Sequence, residues 1–160
     1  MPMSKVATCL WFEKEGLEAA RFYCALIPES EIAEPERFDN MLTGEVDAVL
    51  VIDFTLGGAP FQILQAGPHQ AHTDMVSISV TTEDQAETDR LWAALTADGG
   101  QESQCGWLID RWGIRWQITL RQLTELTARG DKRRTNAMMQ AMMGMTRLDM
   151  AALEAAYDAG

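Results

Sequence analysis

The first part of the chain alternates short apolar runs with one stretch of helical spacing. Residues 6–12 are short and apolar, and they predict a buried strand. Apolar residues then recur at helical spacing over residues 16–27, and Pro28 ends this helix because the residue before a proline avoids the helical region. Another strand is predicted over residues 30–36, and two longer strands flank a hairpin turn at Gly57-Gly58.

The same order of elements returns later in the chain. A strand over residues 76–81 precedes a helix that ends at Gly99-Gly100. Thr82 and Gln85 have the spacing of a capping box at the start of this helix. Three strands follow, with a tight turn at Trp112-Gly113, and they are predicted at residues 101–106, 107–110 and 114–120.

The repeated order, strand–helix–strand–strand–strand, predicts an α+β fold built from paired βαβββ modules. We expect one domain over residues 1–160, with modules at residues 5–66 and 75–120 joined by a loop. Residues 136–158 predict two short C-terminal helices, whose methionines are typical of adaptable core or dimer packing. One helix covers one face of each sheet, so the uncovered faces are expected to enclose a ligand cleft.

Composition and charge narrow the range of partners. The 160 residues include 13 Lys and Arg against 24 Asp and Glu, which gives a formal charge of −11. This charge repels phosphate backbones and anionic membranes, so we predict no nucleic-acid and no membrane partner. The basic run Lys132-Arg133-Arg134 is interpreted as a solvated loop. Three cysteines without a C-x-x-C pair favour a reduced, cytoplasmic protein.

Several motifs together resemble a known family. They are Cys9-Leu10-Trp11-Phe12, Gly67-Pro68-His69, Ser103-Gln104-Cys105-Gly106-Trp107-Leu108 and Trp116-Gln117-Ile118. The sequence resembles the PhnB-like branch of the vicinal oxygen chelate superfamily, which is often described as 3-demethylubiquinone-9 3-methyltransferase. The superfamily also includes glyoxalase I, bleomycin-resistance proteins and extradiol dioxygenases. The resemblance implies the glyoxalase/bleomycin-resistance/dioxygenase fold, a homodimer and a small-molecule ligand.

The resemblance also implies where a metal would bind. Metal-binding members place His, Glu or Gln on the first and last strands of each module, facing the cleft. The corresponding positions here hold Ala7 or Cys9, Gln65, Met75 or Ser77, and Gln117. Neutral amides, a thiol and a hydroxyl bind divalent ions weakly, so we predict no catalytic metal and no cofactor. The amides instead suit hydrogen bonds to a polar ligand.

The candidate catalytic residues are His69 and Cys9. His69 matches the family's G-P-H motif and is the preferred general acid or base if a reaction is catalysed, whereas the simpler and favoured interpretation is a solvated loop histidine. Cys9 becomes a nucleophile if a base lowers its pKa, and it is otherwise a small buried hydrophobic residue.

The candidate ligand-binding residues are aromatic, amide, hydroxyl and thiol side chains. Trp11 and Trp107 are expected to form a pocket wall. Gln65 and Gln117 are expected to be its polar anchors, at equivalent places in the two modules, and the alternative is a wet cavity without a specific ligand. Ser77 and Cys105 complete this set.

These residues favour a small-molecule-binding protein without a catalytic metal, and they leave open whether it is an enzyme. The first alternative is a metal-dependent isomerase, lyase or dioxygenase of the glyoxalase type. The second is the methyl transfer named in the family description. We rank it last because the chain has no G-x-G turn of the kind that S-adenosylmethionine enzymes use.

Overall fold

The strand and helix order is the same in the two halves of the chain, as the sequence predicts. The computed structural model describes residues 5–160, and the chain divides into two units, Met1–Gln70 and Ala71–Gly160. Each unit contains one four-stranded mixed sheet, and in each the order strand–helix–strand–strand–strand is present. The α+β prediction and the prediction of paired βαβββ modules are therefore confirmed.

The sheet of the first unit has the spatial order β1-β4-β3-β2. Its outer strand β1 runs parallel to β4, and the remaining pairs are antiparallel. The elements are β1 (Thr8–Phe12), α1 (Gly16–Leu26), β2 (Glu36–Phe38), β3 (Val49–Leu56) and β4 (Ala59–Gln65). The strand predicted over residues 30–36 is wrong in its bounds, because that segment makes one isolated bridge, Ile32 to Phe54, before β2 begins.

Helix α1 covers one face of this sheet, where apolar side chains alternate into the core. Buried side chains on this face include Ile52 and Phe54 of β3 and Ile63 of β4. The helix contributes Ala20 and Tyr23, both fully buried. Because successive side chains of a strand point to opposite faces, the residues between these positions lie on the face that α1 leaves uncovered.

The sheet of the second unit repeats this arrangement in the order β5-β8-β7-β6, with β5 parallel to β8. The elements are β5 (Ile78–Thr82), α2 (Gln85–Thr96), β6 (Gln101–Glu102), β7 (Trp107–Ile109) and β8 (Arg115–Leu120). The predicted capping box is wrong. The N-cap of helix α2 is Asp84, whose side chain accepts from the Glu87 N–H, and not Thr82.

Three helices follow the second sheet where the sequence predicted two. They are α3 (Arg121–Ala128), α4 (Lys132–Met142) and α5 (Met150–Ala159). Helix α3 continues directly from β8, so no loop marked its start in the sequence. A buried cluster joins the three helices, and its members are Leu120, Leu126, Met138, Leu148, Met150, Leu153 and Tyr157. None of the helices formed by residues 5–160 has the length and apolar character needed to cross a membrane.

Residues 121–160 form a C-terminal tail that contains α3, α4 and α5. Gln85 attaches this tail to helix α2. Its amide nitrogen donates to the Leu148 carbonyl at 2.9 Å, and its amide oxygen accepts from the Met150 N–H at 2.8 Å. Arg147 adds an ion pair with Asp89 at 2.6 Å. These contacts satisfy backbone groups at the start of α5, and they explain why Gln85 is not part of a capping box.

Candidate functional site

Gln65 does not lie where the sequence analysis placed it. Its side chain shares the covered face of the first sheet with Ile63, and its amide oxygen accepts from the Gly16 N–H at 2.8 Å. Glu15, which precedes helix α1, makes no side-chain capping bond, so Gln65 satisfies a free N–H at the helix start. The prediction that Gln65 faces the uncovered side of its sheet is wrong, because helix α1 needs this acceptor.

The strand register shows that Gln62 is the true counterpart of Gln117. In the first sheet Cys9 is the partner of Gln62, and in the second Ser79 is the partner of Gln117. Gln62 lies on the uncovered face and donates to the Asp53 carboxylate at 2.8 Å. The sequence held the signal for this residue, since Phe61 and Ile63 are the apolar set of β4 and Gln62 has the opposite parity.

Two predicted site residues, Cys9 and Trp11, share the uncovered face of the first sheet. Cys9 is exposed, but partial burial of its thiol raises its pKa, and the negative charge of Asp53 adds to the rise. A hydrogen bond with the backbone of Leu64 opposes it. A raised pKa keeps the thiol protonated near neutral pH and weakens its nucleophilic role. Trp11 is 42% exposed, and its indole N–H donates to the Gly67 carbonyl at 3.0 Å.

Alkylation is expected to report the raised pKa of Cys9. In a Cys24→Ser, Cys105→Ser background, the rate with iodoacetamide should still be rising at pH values where an ordinary cysteine has reached its plateau, because only the thiolate reacts. Asp53→Asn should speed the reaction at pH 8 by removing a negative charge, whereas Asp47→Asn, an exposed control, should not. A plateau reached below pH 8 in the Asp53-containing protein contradicts this assignment.

His69 lies in the loop that follows β4. It is exposed, and its Nδ1 is 2.5 Å from the carbonyl oxygen of the neighbouring Gln70. This contact is local, because Gln70 is the next residue of the chain. The role of His69 as general acid or base stays a prediction.

The uncovered face of the second sheet gathers more of the predicted residues. The Gln117 amide nitrogen donates to the Ser77 hydroxyl at 2.7 Å, and Trp107 is the cross-strand partner of Gln117. Trp116 is fully buried on the opposite, helix-covered face, as expected from its parity. The second unit therefore brings Ser77, Trp107 and Gln117 together, although their roles in binding stay predictions.

A pocket of about 390 Å³ opens on this face. Its lining residues are Asp74, Ser103, Gln104, Cys105, Trp107, Leu108, Ile109 and Arg115. Cys105 lies at the edge of the pocket with a φ of 58°, and its N–H donates to the Met145 carbonyl at 2.7 Å. The next residue, Gly106, donates in the same way to Thr146 at 2.7 Å. The C-terminal tail thus fixes one edge of the pocket.

Arg115 is the basic residue of this pocket, and it belongs to none of the motifs singled out in the sequence. Its Nε donates to the Asp74 carboxylate at 2.9 Å, and its Nη1 donates to the Gly113 carbonyl at 2.7 Å. The Arg115 side chain is only 19% exposed, whereas the Asp74 side chain is 79% exposed. Arg115 has the same parity as Gln117 on β8, and this alternation was the available signal.

The donors at the positions implied for a metal do not fit a divalent ion. The thiol of Cys9 is disfavoured as a thiolate, Gln65 is engaged by helix α1, and Ser77 and Gln117 are neutral. Across residues 5–160, no group of three or more His, Cys, Asp or Glu side chains is arranged to hold a metal ion. The donor chemistry is instead that of hydrogen bonding.

Comparison with known proteins gives one family match and several structural ones. The family model described as 3-demethylubiquinone-9 3-methyltransferase matches residues 4–119. The PhnB protein from Bacillus cereus is 32% identical, with a TM-score of 0.65, and the match covers 73% of this chain and 99% of that chain. Protein PA1353 from Pseudomonas aeruginosa is 19% identical, with a TM-score of 0.52, over 74% of this chain and 98% of that one. No match was found among curated proteins.

A more distant likeness supports the fold alone. The fosfomycin resistance protein FosX from Mesorhizobium loti is 16% identical, with a TM-score of 0.53, over 80% of this chain and 99% of that one. Together with the two four-stranded sheets, it establishes the glyoxalase/bleomycin-resistance fold. The family match spans most of the chain, and the Bacillus cereus protein agrees with it in sequence and in structure. The chain therefore belongs to the PhnB-like family described as 3-demethylubiquinone-9 3-methyltransferase, within the vicinal oxygen chelate superfamily.

Proposed function

We propose that this protein binds a small molecule in the pocket on the uncovered face of its second sheet, without a catalytic metal. The observation that carries the proposal is the convergence of Trp107 and Arg115 on one concave surface of about 390 Å³. Ligand sites in proteins are commonly pockets of roughly 300–1,000 Å³ with apolar walls and a few polar groups. Trp107 and Ile109 supply an apolar wall here, and Arg115 supplies the charge.

Arg115 and the backbone at one edge of the pocket are held in place before any ligand binds, which favours binding. Arg115 is fixed by the Gly113 carbonyl, and the backbone at Cys105 and Gly106 is fixed by the tail. Binding to a preformed site avoids the entropy loss of ordering side chains and loops. The homodimer and the cytoplasmic location stay predictions from the sequence.

A fragment titration followed by NMR tests the proposal. Small aromatic fragments should shift the indole N–H signal of Trp107 and the amide signal of Gly106 in a saturable way. Trp107→Ala should weaken binding by about tenfold or more, because a buried aromatic contact contributes over 1 kcal/mol. Trp112→Ala is the matched control, since Trp112 lies at the turn of the same hairpin and does not line the pocket. Equal binding by wild type and Trp107→Ala would overturn the proposal.

The two alternatives from other classes have direct tests. A metal-dependent isomerase, lyase or dioxygenase requires stoichiometric metal in protein purified without chelator, and the neutral donors described above oppose it. Methyl transfer is favoured by the family description alone. Calorimetry with S-adenosylmethionine tests it, and micromolar binding would place it ahead of simple ligand binding.

A further inference from the structure

We infer that the ligand of this pocket is an organic anion, a carboxylate on a flat apolar body, and that Asp74 occupies the place of that carboxylate until the ligand displaces it. The inference rests on the proposed function, because it assigns the chemical class of ligand to the same pocket. It depends on three features: the incomplete pairing of Arg115, the exposure of Asp74 and the position of Trp107.

The guanidinium of Arg115 is only partly used by the protein. One donor group, Nη1, contacts the Gly113 carbonyl, and Nε contacts a single oxygen of Asp74. Among residues 5–160, Nη2 has no hydrogen-bond partner. A guanidinium presents its donors in one plane, so that two of them match both oxygens of a carboxylate. The single contact of Nε with Asp74 therefore leaves Nη2 available as a second donor. A ligand carboxylate that takes Nε and Nη2 together makes one bond more than Asp74 does.

Asp74 is well suited to be displaced. It lies in the segment between β4 and β5, outside any helix or strand, and its side chain is largely exposed. The pair is exposed only on the Asp74 side, so water solvates that carboxylate when the pair separates, and this lowers the cost of displacing it. Arg115 differs, since its position on β8 and its bond to Gly113 keep it in the pocket when Asp74 leaves.

The apolar part of the ligand is assigned from the strand register. Ile109 is the cross-strand partner of Arg115, and Trp107 lies two residues away on the same face of β7. Diagonal neighbours of this kind lie about 7–8 Å apart in a sheet, so one aryl carboxylate spans both the Trp107 ring and the guanidinium. Because the chain carries a formal charge of −11, a local fixed cation is needed to hold an anion here.

Matched pairs of ligands and variants test this inference. The probes are 1-naphthoate and its neutral primary amide, 1-naphthamide, titrated at fixed ionic strength with Trp107 indole NMR shifts as the readout. The acid should bind wild type more tightly than the amide. Arg115→Gln should remove this preference, and Arg115→Lys, which keeps the charge but not the fork, should restore only part of it.

Removal of the competing carboxylate should have the opposite effect. Asp74→Asn should tighten binding of the acid by about fivefold, which corresponds to ~1 kcal/mol, and should leave binding of the amide unchanged. Asp98→Asn is the control, because Asp98 pairs with Arg111 on the second unit at 3.1 Å, outside the pocket, and its removal changes the net charge by the same amount. Equal tightening by both substitutions would attribute the effect to net charge and overturn the role of Asp74.

The outcomes separate this inference from the proposed function. Equal binding of acid and amide at Trp107, insensitive to Arg115→Gln, overturns the anion assignment and leaves small-molecule binding standing. Absence of shifts at Trp107 with both probes and with the aromatic fragments overturns both. Thermal unfolding of Arg115→Gln serves as a check, and Arg115→Lys gives the same test if the glutamine variant unfolds.

Discussion

Asp110→Ala is expected to lower the free energy of unfolding by about 3–5 kcal/mol, because it leaves buried hydrogen-bond donors without an acceptor. Asp110 is only 3% exposed, although it is a carboxylate. One oxygen accepts from the backbone N–H groups of Trp112 and Ile114 at 2.9 and 3.0 Å, and the other accepts from the Trp116 indole at 2.9 Å.

These three bonds hold the β7–β8 hairpin together from inside. The two backbone donors fix the turn, and the indole donor fixes the orientation of Trp116, which is fully buried under the helix-covered face. Alanine removes the acceptor and opens a space that water reaches poorly. Hydrogen bonds to a charged group are stronger than neutral ones, so the loss exceeds that of a typical surface substitution.

Urea unfolding followed by tryptophan fluorescence measures this effect. Asp110→Asn is expected to lie between wild type and alanine, because its amide oxygen still accepts from the turn while its amide nitrogen cannot accept from Trp116. Asp98→Asn, an exposed aspartate of the same unit, should change the unfolding free energy by less than about 0.5 kcal/mol. A loss below 1 kcal/mol for Asp110→Ala would show that these bonds do not carry the hairpin.

Gly106→Ala is expected to cost about 2–4 kcal/mol, from two causes acting together. Gly106 has a φ of 81°, in the left-handed region that favours glycine. A Cβ built there lies 2.7 Å from the Ile118 carbonyl oxygen and 3.2 Å from the Leu148 Cγ. The first neighbour is backbone of β8 and has no freedom to move aside, so the hairpin or the tail must shift.

Gly113→Ala separates the two causes. Gly113 has a φ of 86°, but nothing lies within 4 Å of a Cβ built there, so only backbone strain of about 1 kcal/mol is expected. The difference between the variants measures the close contact at Gly106. The backbone N–H at position 106 donates to the Thr146 carbonyl in the wild type. If the tail is displaced in Gly106→Ala, hydrogen exchange of this amide should be faster than in the wild type. Equal losses in the two variants would exclude a steric cause.

The fold could be predicted from the sequence, because the patterns that indicate strands, helices and turns occur twice along the chain. The strand-like alternation of apolar residues and one helical stretch occur in the same order in each unit. The turns at Gly57-Gly58 and Trp112-Gly113 separate the last two strands of each sheet. Helix α3 was not predicted, because it follows β8 without a loop. Its only signal in the sequence was the change in apolar spacing from the period of a strand to that of a helix. Gln85 was misassigned because its spacing to Thr82 fits a capping box, whereas two of its backbone partners, at Leu148 and Met150, lie over 60 residues away.

The site was harder to predict, because it depends on which face of a strand each side chain takes. Gln65 and Gln62 are three positions apart and so lie on opposite faces of β4. The apolar parity of Ile63 places Gln65 on the covered face, where helix α1 uses it as an acceptor, and leaves Gln62 on the uncovered face. Arg115 belongs to no sequence motif. Its candidate role depends on its position in the pocket and on its contact with Asp74, which is 41 residues earlier in the chain. Contacts of this range are set by tertiary structure and leave no local pattern.

The attachment of the tail to Cys105 and Gly106 limits what can be transferred from relatives to this protein. The family match ends at residue 119, just before α3, so the carbonyls of Met145 and Thr146 lie outside it. A relative without this segment has to satisfy the two amides with water or with another part of its chain. The ligand preference of such a relative is therefore a poor guide to the preference of this protein.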